Sequence, residues 1–312
     1  MMTKIIAHGP LLPPVIEKLG ELGEVIVMTN WEKGKHILLE HGQDVCAVAT
    51  YGGIGKEQLQ ALPNLKIVAN FGVGFDNVDV TTAHQMGVVV TNTPDVLNDA
   101  VAELTFGLVL TLSRQLHVAD QYIRAGRWPL DGQYPLSREL TGATVGIIGM
   151  GRIGREFARR ARAMNMRVVY HGRHEQPHVP YKFYDSPKNM AQDVDWLVLL
   201  APGGPETYHI VNEDVLNALG PEGYLVNVGR GSLVDEEALV QAIQDRKIAG
   251  AALDVFAHEP HVPQQLIDSP HVLLTPHIGS STTKTRAAMG QLIVDNIAMV
   301  LSNQPALTPV RL

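Results

Sequence analysis

The sequence contains a single cysteine, Cys46, among its 312 residues. No disulfide can therefore form within the chain. One free thiol is typical of a reducing compartment, so we expect a cytoplasmic protein. Cys46 lies in an apolar run, where a packed thiol is expected rather than a nucleophile.

No apolar run approaches the roughly 18 residues that a membrane-spanning helix needs, so we expect no contact with a membrane. The opening stretch MMTKIIAHG lacks the pattern of a signal peptide. Lys and Arg number 25 against 32 Asp and Glu, and the resulting net charge of −7 argues against a nucleic-acid partner. Most histidines show no metal-ligand spacing, so the sequence predicts no metal site.

Residues 144–154, TVGIIGMGRIG, are the most informative stretch that is present. An apolar run ends in Gly149, Gly151 and Gly154, spaced G-x-G-x-x-G, and a helical pattern follows. A buried strand that turns sharply into a helix forms a seat for a pyrophosphate. The first glycine permits the turn, the second lets phosphates approach, and the third lets helix pack on strand. The alternative is a glycine-rich turn in another α/β fold.

Short apolar runs alternate with helical patterns along the whole chain, which predicts parallel sheets covered by helices. The first set of predicted strands comprises Lys4–Ala7, Val25–Met28, Val45–Ala49, Ile67–Asn70 and Val88–Val90. The second set comprises Val145–Ile148, Arg167–Tyr170, Trp196–Leu200, Gly223–Asn227, Gly250–Leu253 and Val272–Leu274. We therefore expect an α/β protein with two doubly wound parallel-sheet domains and a cleft between them.

Two helical patterns set the expected domain boundaries. Residues 98–127 predict one long helix, capped by Asn98 or Asp99 and ended by Gly126. The last helical pattern, 284–302, is expected to return to the first domain. The predicted substrate domain is then 1–97 with 285–312, and the predicted dinucleotide-binding domain is 98–284.

The second strand of the nucleotide domain is followed by residues that bear on cofactor choice. An NAD site would place an Asp or Glu there for the ribose 2′-hydroxyl, whereas this sequence has His171, Gly172, Arg173 and His174. A guanidinium would hold the 2′-phosphate that a carboxylate repels, so we expect NADPH to be preferred, with NADH possible. The alternative is that Arg173 is a solvated loop residue.

Three polar residues follow strands of the second domain: Arg230, Glu259 and His277. Ligands of open α/β sheets bind beyond the carboxyl ends of the strands, so these side chains are expected to converge. Reduction of a 2-keto acid needs a cation for the carboxylate, a proton for the developing alkoxide and a hydride. Arg230 can clamp the carboxylate, His277 can give the proton, and Glu259 can orient His277 and favour its protonated form.

Each of the three residues also has an ordinary structural explanation when taken alone. Arg230 could pair with Asp235, Glu259 could be a turn residue before Pro260, and His277 could be a loop histidine. Their common position after successive strands, behind a nucleotide fingerprint, favours the catalytic interpretation.

The sequence resembles the D-isomer-specific 2-hydroxyacid dehydrogenases along nearly its whole length. The matching motifs are NFGVGFDNVD (70–79), TVGIIGMGRIG (144–154), NVGRGSLVDEEAL (227–239), GAALDVFAHEP (250–260) and LLTPHIGSS (273–281). The resemblance implies a Rossmann nucleotide-binding domain, a flavodoxin-like substrate domain, and Arg230, Glu259 and His277 as catalytic residues. It also implies a homodimer joined through the nucleotide domain, with Trp128 and Tyr134 as candidate anchors.

The same resemblance assigns binding residues. The expected cofactor contacts are Gly149, Gly151, Arg152, Ile153, Gly154, Gly172, Arg173, His174, Ala201, Val228, Gly229, Arg230, Asp254, His277 and Gly279. The expected substrate contacts are Gly52, Val73, Gly74, Arg230, His277 and Ser280. Within TYGGIG (50–55), Gly52 and Gly53 could leave room for the substrate, Tyr51 could narrow that room, or the segment could simply form a tight turn.

Within the family, the Gly172–Arg173 pair is similar to that of NADPH-dependent glyoxylate and hydroxypyruvate reductases. The expected reaction is therefore reduction of glyoxylate and hydroxypyruvate to D-2-hydroxy acids. The APGGPET stretch (201–207) departs from the commoner P-L-T-x-x-T form and blurs the substrate preference. A 2-ketogluconate reductase, a hydroxyphenylpyruvate reductase and a non-enzymatic NAD(P)-sensing protein remain as alternatives.

Overall fold

The computed structural model describes residues 3–311 and divides the chain into two compact units. The first unit comprises Met1–Leu97 and Ser281–Leu312, and the second unit comprises Asn98–Ser280. The second boundary falls at Ser281, where the sequence predicts 285. Thr282 is the N-cap of the last helix, so that helix belongs to the first unit together with its cap.

The first unit is built on a five-stranded parallel sheet. Its strands are β1 (Lys4–His8), β2 (Glu24–Met28), β3 (Val45–Thr50), β4 (Ile67–Asn70) and β5 (Val89–Thr91). Its helices are α1 (Pro13–Gly20), α2 (Lys35–His41), α3 (Lys56–Gln60), α4 (Val80–Gln85) and, from the end of the chain, α13 (Thr283–Leu301). The strand order β2-β1-β3-β4-β5 is the flavodoxin-like one, with the order reversing between β1 and β3.

Burial explains why the central strands of this sheet read as continuous apolar runs. Every residue of β4 is buried, as expected where helices cover both faces of a parallel sheet. Helix α13 packs on α1, β3 and β4. A Cβ on Gly290 of α13 would lie 2.3 Å from Cγ2 of Val15, so glycine there allows the two helices to pack closely.

The second unit contains a seven-stranded parallel sheet. Its strands are β6 (Thr144–Ile148), β7 (Arg167–His171), β8 (Lys182–Tyr184), β9 (Trp196–Leu199), β10 (Tyr224–Asn227), β11 (Gly250–Leu253) and β12 (Val272–Leu274). Its helices are α5 (Asn98–Ser113), α6 (Leu116–Arg124), α7 (Trp128–Asp131), α8 (Arg152–Ala163), α9 (Pro187–Gln192), α10 (Glu213–Leu219), α11 (Glu236–Gln244) and α12 (Gln264–Ile267). The order β12-β11-β10-β9-β6-β7-β8 is that of a Rossmann fold and reverses between β6 and β9.

The predicted fold class of two doubly wound parallel sheets is therefore confirmed. Every strand predicted from an apolar run occurs, and no end differs by more than one residue. Strand β8 was not predicted, because three residues at a sheet edge give no clear apolar run. In the second unit, the largest fully buried side chains are those of Trp196, Tyr170 and Phe157.

The prediction of one helix over 98–127 is wrong. The segment forms α5 and α6, which are separated at Gln115, whose φ of 50° lies in the left-handed region. Half of α5 is buried and none of α6 is, so the two helices lie in different environments. Apolar residues continue across the break, and no Gly or Pro marks it in the sequence. Gly126, with φ of 65°, follows α6 as predicted.

The candidate anchor Trp128 begins the short helix α7. Among residues 3–311, no helix is both long enough and apolar enough to traverse a lipid bilayer.

Candidate active site

The glycine-rich turn between β6 and α8 has a distinct geometry at each glycine. Gly149 has φ of 102°, and a Cβ there would lie 2.5 Å from the amide nitrogen of Ala201. A Cβ on Gly154 would lie 2.3 Å from the carbonyl oxygen of Gly149, so α8 packs directly on the turn. A Cβ on Gly151 would meet no atom within 4 Å. The turn therefore leaves open space at the N-terminus of α8, as a pyrophosphate requires.

Arg152 and Ile153 begin α8 immediately after this open space. The remaining expected cofactor residues of the second unit follow other strands of the same sheet. Ala201 comes after β9, Val228 and Gly229 come after β10, and Gly279 comes after β12. A Cβ on Gly229 would lie 2.8 Å from the carbonyl oxygen of Ala201, so these two loops touch through their backbones.

The loop after β7 is held against the glycine-rich turn by Gln176, a residue that the sequence analysis missed. Its Nε2 donates to the carbonyl oxygen of Met150 at 3.1 Å, and its backbone amide donates to the Tyr170 hydroxyl at 2.7 Å. Gly172 is half-buried, whereas Arg173 and His174 are exposed. The glycine-rich turn and the loop after β7 therefore fit a dinucleotide. The Arg173 guanidinium in that loop has no acidic ion-pair partner among the described residues.

Arg230 lies in a compact turn after β10. Asn227, the last residue of β10, donates to the Arg230 carbonyl oxygen at 2.8 Å and accepts from the Gly229 amide at 3.1 Å. A Cβ on Gly231 would lie 2.0 Å from the backbone of Phe256, so only glycine allows this turn to press against the segment that precedes Glu259. The positive charge of Arg230 helps to lower the pKa of Glu259, which places the two side chains in one electrostatic environment.

His277 and Glu259 form a hydrogen-bonded pair, with Nδ1 of the imidazole 2.7 Å from Oε2 of the carboxylate. The other carboxylate oxygen accepts the Phe256 amide at 3.1 Å, which fixes the orientation of the Glu259 side chain. Burial raises the pKa of Glu259, but the hydrogen bond and charge of His277, the Phe256 amide and the charge of Arg230 together outweigh burial, and the net pKa is lowered. With Nδ1 occupied, Nε2 of the half-exposed imidazole is the atom available to a ligand.

The predicted cofactor residue Asp254 is almost completely buried, and its carboxylate holds the chain around His277. One oxygen accepts the Thr275 hydroxyl at 2.7 Å and the Ile278 amide at 2.8 Å, and the other accepts the Gly279 amide at 2.8 Å. Burial raises the pKa of Asp254, against the opposing effect of these three bonds. His277 itself has φ of 52°, a left-handed conformation that this network maintains.

The expected substrate residues Val73 and Gly74 lie in the first unit, in the loop after β4. Asn70 donates to the Gly74 carbonyl oxygen at 2.8 Å, and Asn92 donates to the Val73 carbonyl oxygen at 2.8 Å. These bonds occupy the two carbonyl oxygens. Among residues 3–311, no acceptor is bonded to the amides of Val73 and Gly74. The loop is thus suited to bind a carboxylate, and Asn70 and Asn92 are further site residues that the sequence analysis missed.

Gly52 lies in the turn after β3, next to the ring of the buried residue His8. The His8 ring nitrogen lies 2.9 Å from the Thr50 hydroxyl, and the ring stacks on Trp31 with centroids 4.4 Å apart. A Cβ on Gly52 would lie 3.2 Å from the His8 ring. Gly53 has φ of 85° and packs on the Asn77 carbonyl, so glycine is required there by the turn itself. Burial lowers the pKa of His8, which favours the neutral ring beneath this turn.

The chain places Arg230, Glu259, His277 and the expected cofactor residues at the carboxyl end of one sheet in the second unit. Gly52, Val73 and Gly74 follow strands of the first unit. Ser280 is the last residue of the second unit and is half-buried.

Comparison with known proteins gives a consistent result. Residues 106–279 match the family model described as D-isomer specific 2-hydroxyacid dehydrogenase, NAD binding domain. A glyoxylate/hydroxypyruvate reductase of Arabidopsis thaliana is 44% identical over 88% of this chain and 89% of its own length. A hydroxyphenylpyruvate reductase of Plectranthus scutellarioides is 45% identical over 83% of this chain and 82% of its own length.

A crystal structure of an NADPH-dependent glyoxylate/hydroxypyruvate reductase from Sinorhizobium meliloti, in complex with NADP and malonate, is also similar. It superposes with a TM-score of 0.94 at 45% identity and covers 99% of this chain and 96% of that one. Two parallel sheets and a dinucleotide cradle define a two-domain α/β dehydrogenase. The chain belongs to the D-isomer-specific 2-hydroxyacid dehydrogenase family, and it is an NAD(P)-dependent oxidoreductase.

Proposed function

We propose that this protein reduces small 2-keto acids, glyoxylate and hydroxypyruvate among them, to D-2-hydroxy acids with NADPH. The observation that carries the proposal is the 2.7 Å bond between His277 and Glu259, which follow β12 and β11 of the sheet whose strand β6 leads into the glycine-rich turn. The similar reductases described above support the choice of substrate and cofactor. In this proposal the second unit binds the dinucleotide and the first unit binds the substrate.

The roles of the chain's own groups follow from their charge and position. Arg230 binds the substrate carboxylate and stabilises the charge that develops on the keto oxygen. The amides of Val73 and Gly74 bind carboxylate oxygens. Glu259 bonds to Nδ1 of His277 and orients the ring, so that Nε2 delivers the proton to the alkoxide. The bound cofactor supplies the hydride.

The preference for NADPH rests on the loop after β7. Arg173 and His174 are exposed there, next to Gly172, and the loop is tied to the glycine turn by Gln176. A guanidinium with no acidic partner can bind a 2′-phosphate through planar, permanently charged donors. NADH lacks that phosphate and is expected to bind more weakly.

A cytoplasmic homodimer completes the proposal. The single cysteine supports a reducing compartment. Around α6 and α7, Trp128 is 61% exposed and Leu136 is 99% exposed, and Leu116, Ile123 and Leu130 are exposed as well. An apolar patch of this kind is typical of an interface between subunits. Tyr134 packs edge-on against Tyr122, with centroids 5.3 Å apart, and supports this surface from within the chain.

The test is reduction of a panel of 2-keto acids, followed by NADPH absorbance, with wild type and His277→Asn. Asparagine tolerates the left-handed backbone at this position but cannot donate the proton in the same way. Turnover is expected to fall about 10²–10⁴-fold, the usual contribution of a general acid. NADPH affinity, measured by fluorescence, is expected to fall much less than turnover, because His277 is only one of many expected cofactor contacts. His84→Asn, at an exposed position of α4, is the control.

Near-normal turnover by His277→Asn would remove His277 from the mechanism. Turnover of no 2-keto acid by wild type, with NADPH bound normally, would favour the NAD(P)-sensing alternative.

A further inference from the structure

The first unit contains a cavity of about 540 Å³ that none of the proposed catalytic roles uses. This volume lies within the range of pockets that hold small organic ligands, about 300–1,000 Å³, and is far larger than glyoxylate requires. Its lining includes Tyr51 and Phe71, which directly follow β3 and β4, and Pro10, which lies just beyond β1. The cavity is therefore at the carboxyl edge of this sheet, where open α/β sheets bind ligands.

Several residues that line the cavity are neighbours in sequence of the expected substrate residues. Tyr51 immediately precedes Gly52, Phe71 precedes the Val73–Gly74 loop, and Ser281 follows Ser280. A ligand whose carboxylate is bound by the Val73 and Gly74 amides would thus have room for a longer chain beside Tyr51 and Phe71.

The charged groups of the cavity are Arg286 and Lys18, and its lining, drawn from residues 3–311, includes no Asp or Glu. The Arg286 guanidinium lies 5.3 Å from the centre of the Tyr51 ring and 5.4 Å from that of Phe71. It donates to the Ser281 hydroxyl at 3.0 Å and to the Tyr51 hydroxyl at 3.3 Å. Both acceptors are neutral, so the charge of Arg286 is held by two rings and two hydroxyls without a carboxylate.

We propose that Arg286 recognises the distal end of longer 2-keto acids, the end away from the keto group, and this inference rests on the proposed function. The distal group is one that offers acceptor oxygens, either a carboxylate or the hydroxyls of a sugar acid. The apolar side chains of Leu12 and Val15 line the same cavity and suit the carbon chain that joins the two ends. Arg286 is thereby a specificity-determining residue, and glyoxylate is too short to use it.

The test compares substrate pairs that share chain length and differ in the oxygens carried beyond the keto carbon. 2-Ketoglutarate is paired with 2-ketovalerate, and 2-ketogluconate with 2-ketohexanoate. In wild type, kcat/KM is expected to favour the oxygen-bearing member of at least one pair, and the identity of that pair separates carboxylate from hydroxyl recognition. Arg286→Met keeps the length of the side chain and removes its donors. It should reduce that preference about 10–100-fold, mainly through KM, the factor that a hydrogen bond to a charged group contributes.

Lys284→Met, an exposed position on the same helix that does not line the cavity, should leave the ratio unchanged. If Arg286→Met lowers kcat/KM equally within each pair, Arg286 only supports Tyr51 and Phe71, and the proposal is overturned. Equal rates for both members of each pair in wild type would overturn it too.

A binding measurement separates this proposal from the proposed function. The oxygen-bearing keto acid that wild type prefers should raise the Tm of wild type more than it raises the Tm of Arg286→Met. If wild type turns over no keto acid but shows this Tm difference, the reductase assignment fails and the subsite stands. Absence of any Arg286-dependent shift together with absence of turnover would overturn both.

Discussion

The backbone amide of His277 donates to the carbonyl oxygen of Asp254 at 2.9 Å and so ties the left-handed residue to the end of β11. The Asp254 carboxylate binds the residues on either side of the histidine through Thr275, Ile278 and Gly279. One buried acid therefore fixes the loop from which the imidazole reaches Glu259.

Replacing Asp254 by Ala should destabilise this loop and impair catalysis together. The substitution leaves buried amides without their acceptor, and each such loss costs about 1–3 kcal/mol. We expect a clearly lower free energy of unfolding in urea and a lower kcat. Asp245→Ala, at the exposed C-terminal end of α11, is the control and should change neither quantity appreciably. Wild-type stability for Asp254→Ala would show that the loop does not depend on this carboxylate.

Asp254 and Glu259 should contribute to stability with opposite dependence on pH. The pKa of Glu259 is lowered in the folded protein, so its contribution is complete above the unfolded pKa, near 4.5, and is lost as pH falls through the folded value. The pKa of Asp254 is raised by burial, so its titration favours folding below the unfolded pKa, near 3.8, and this advantage is lost as pH rises through the folded value.

The measurement is the free energy of unfolding against pH for wild type, Glu259→Gln and Asp254→Asn. On acidification, the stability of wild type relative to Glu259→Gln should decrease. Over the same interval, its stability relative to Asp254→Asn should increase. Two differences that change in the same direction would contradict the assigned environments of these carboxyl groups.

Cofactor preference should depend on Arg173. Arg173→Asp places a carboxylate where a 2′-phosphate is expected, so repulsion replaces attraction. We expect KM for NADPH to rise about tenfold or more, the effect of about 1.4 kcal/mol, while KM for NADH stays the same or falls. The control is Arg167→Asp, at an exposed position at the start of β7. Arg155→Asp is unsuitable as a control because Arg155 bonds to Gln176, which holds the same loop. Equal changes for both cofactors would indicate that Arg173 is a solvated loop residue.

The sequence predicts the strands well because a parallel sheet covered on both faces buries whole strands, which then appear as continuous apolar runs. The positions of Arg230, Glu259 and His277 follow from the same rule, since side chains after neighbouring parallel strands share one edge. Residue chemistry indicates that Glu259 can orient His277, and the structure contains a hydrogen bond of 2.7 Å between the two side chains.

Other features depend on tertiary contacts that leave no local signal. The break at Gln115 occurs without Gly or Pro, in a segment whose apolar spacing continues. Asn70 and Asn92 are ordinary polar residues in the sequence, and only folding brings them to the carbonyl oxygens of the Val73–Gly74 loop. His277 follows Pro276, and nothing nearby in the sequence indicates its left-handed conformation.

Two glycines of the fingerprint should respond to alanine in opposite ways. Gly154→Ala forces a Cβ against the Gly149 carbonyl oxygen, a backbone atom that cannot move easily, so we expect a loss of about 1–3 kcal/mol in the free energy of unfolding. Gly151 has an ordinary extended backbone, with φ of −80°, and open space around it. Gly151→Ala should therefore fold with nearly wild-type stability.

The methyl group of Gly151→Ala should nevertheless enter the space from which the phosphates approach, and NADPH affinity should fall. Thermal unfolding and NADPH titration of both variants, with and without cofactor, separate the two effects. The cofactor should raise the Tm of Gly154→Ala, which keeps an open cradle, more than that of Gly151→Ala. If Gly151→Ala bound NADPH as tightly as wild type, the open space at the start of α8 would not be the phosphate seat.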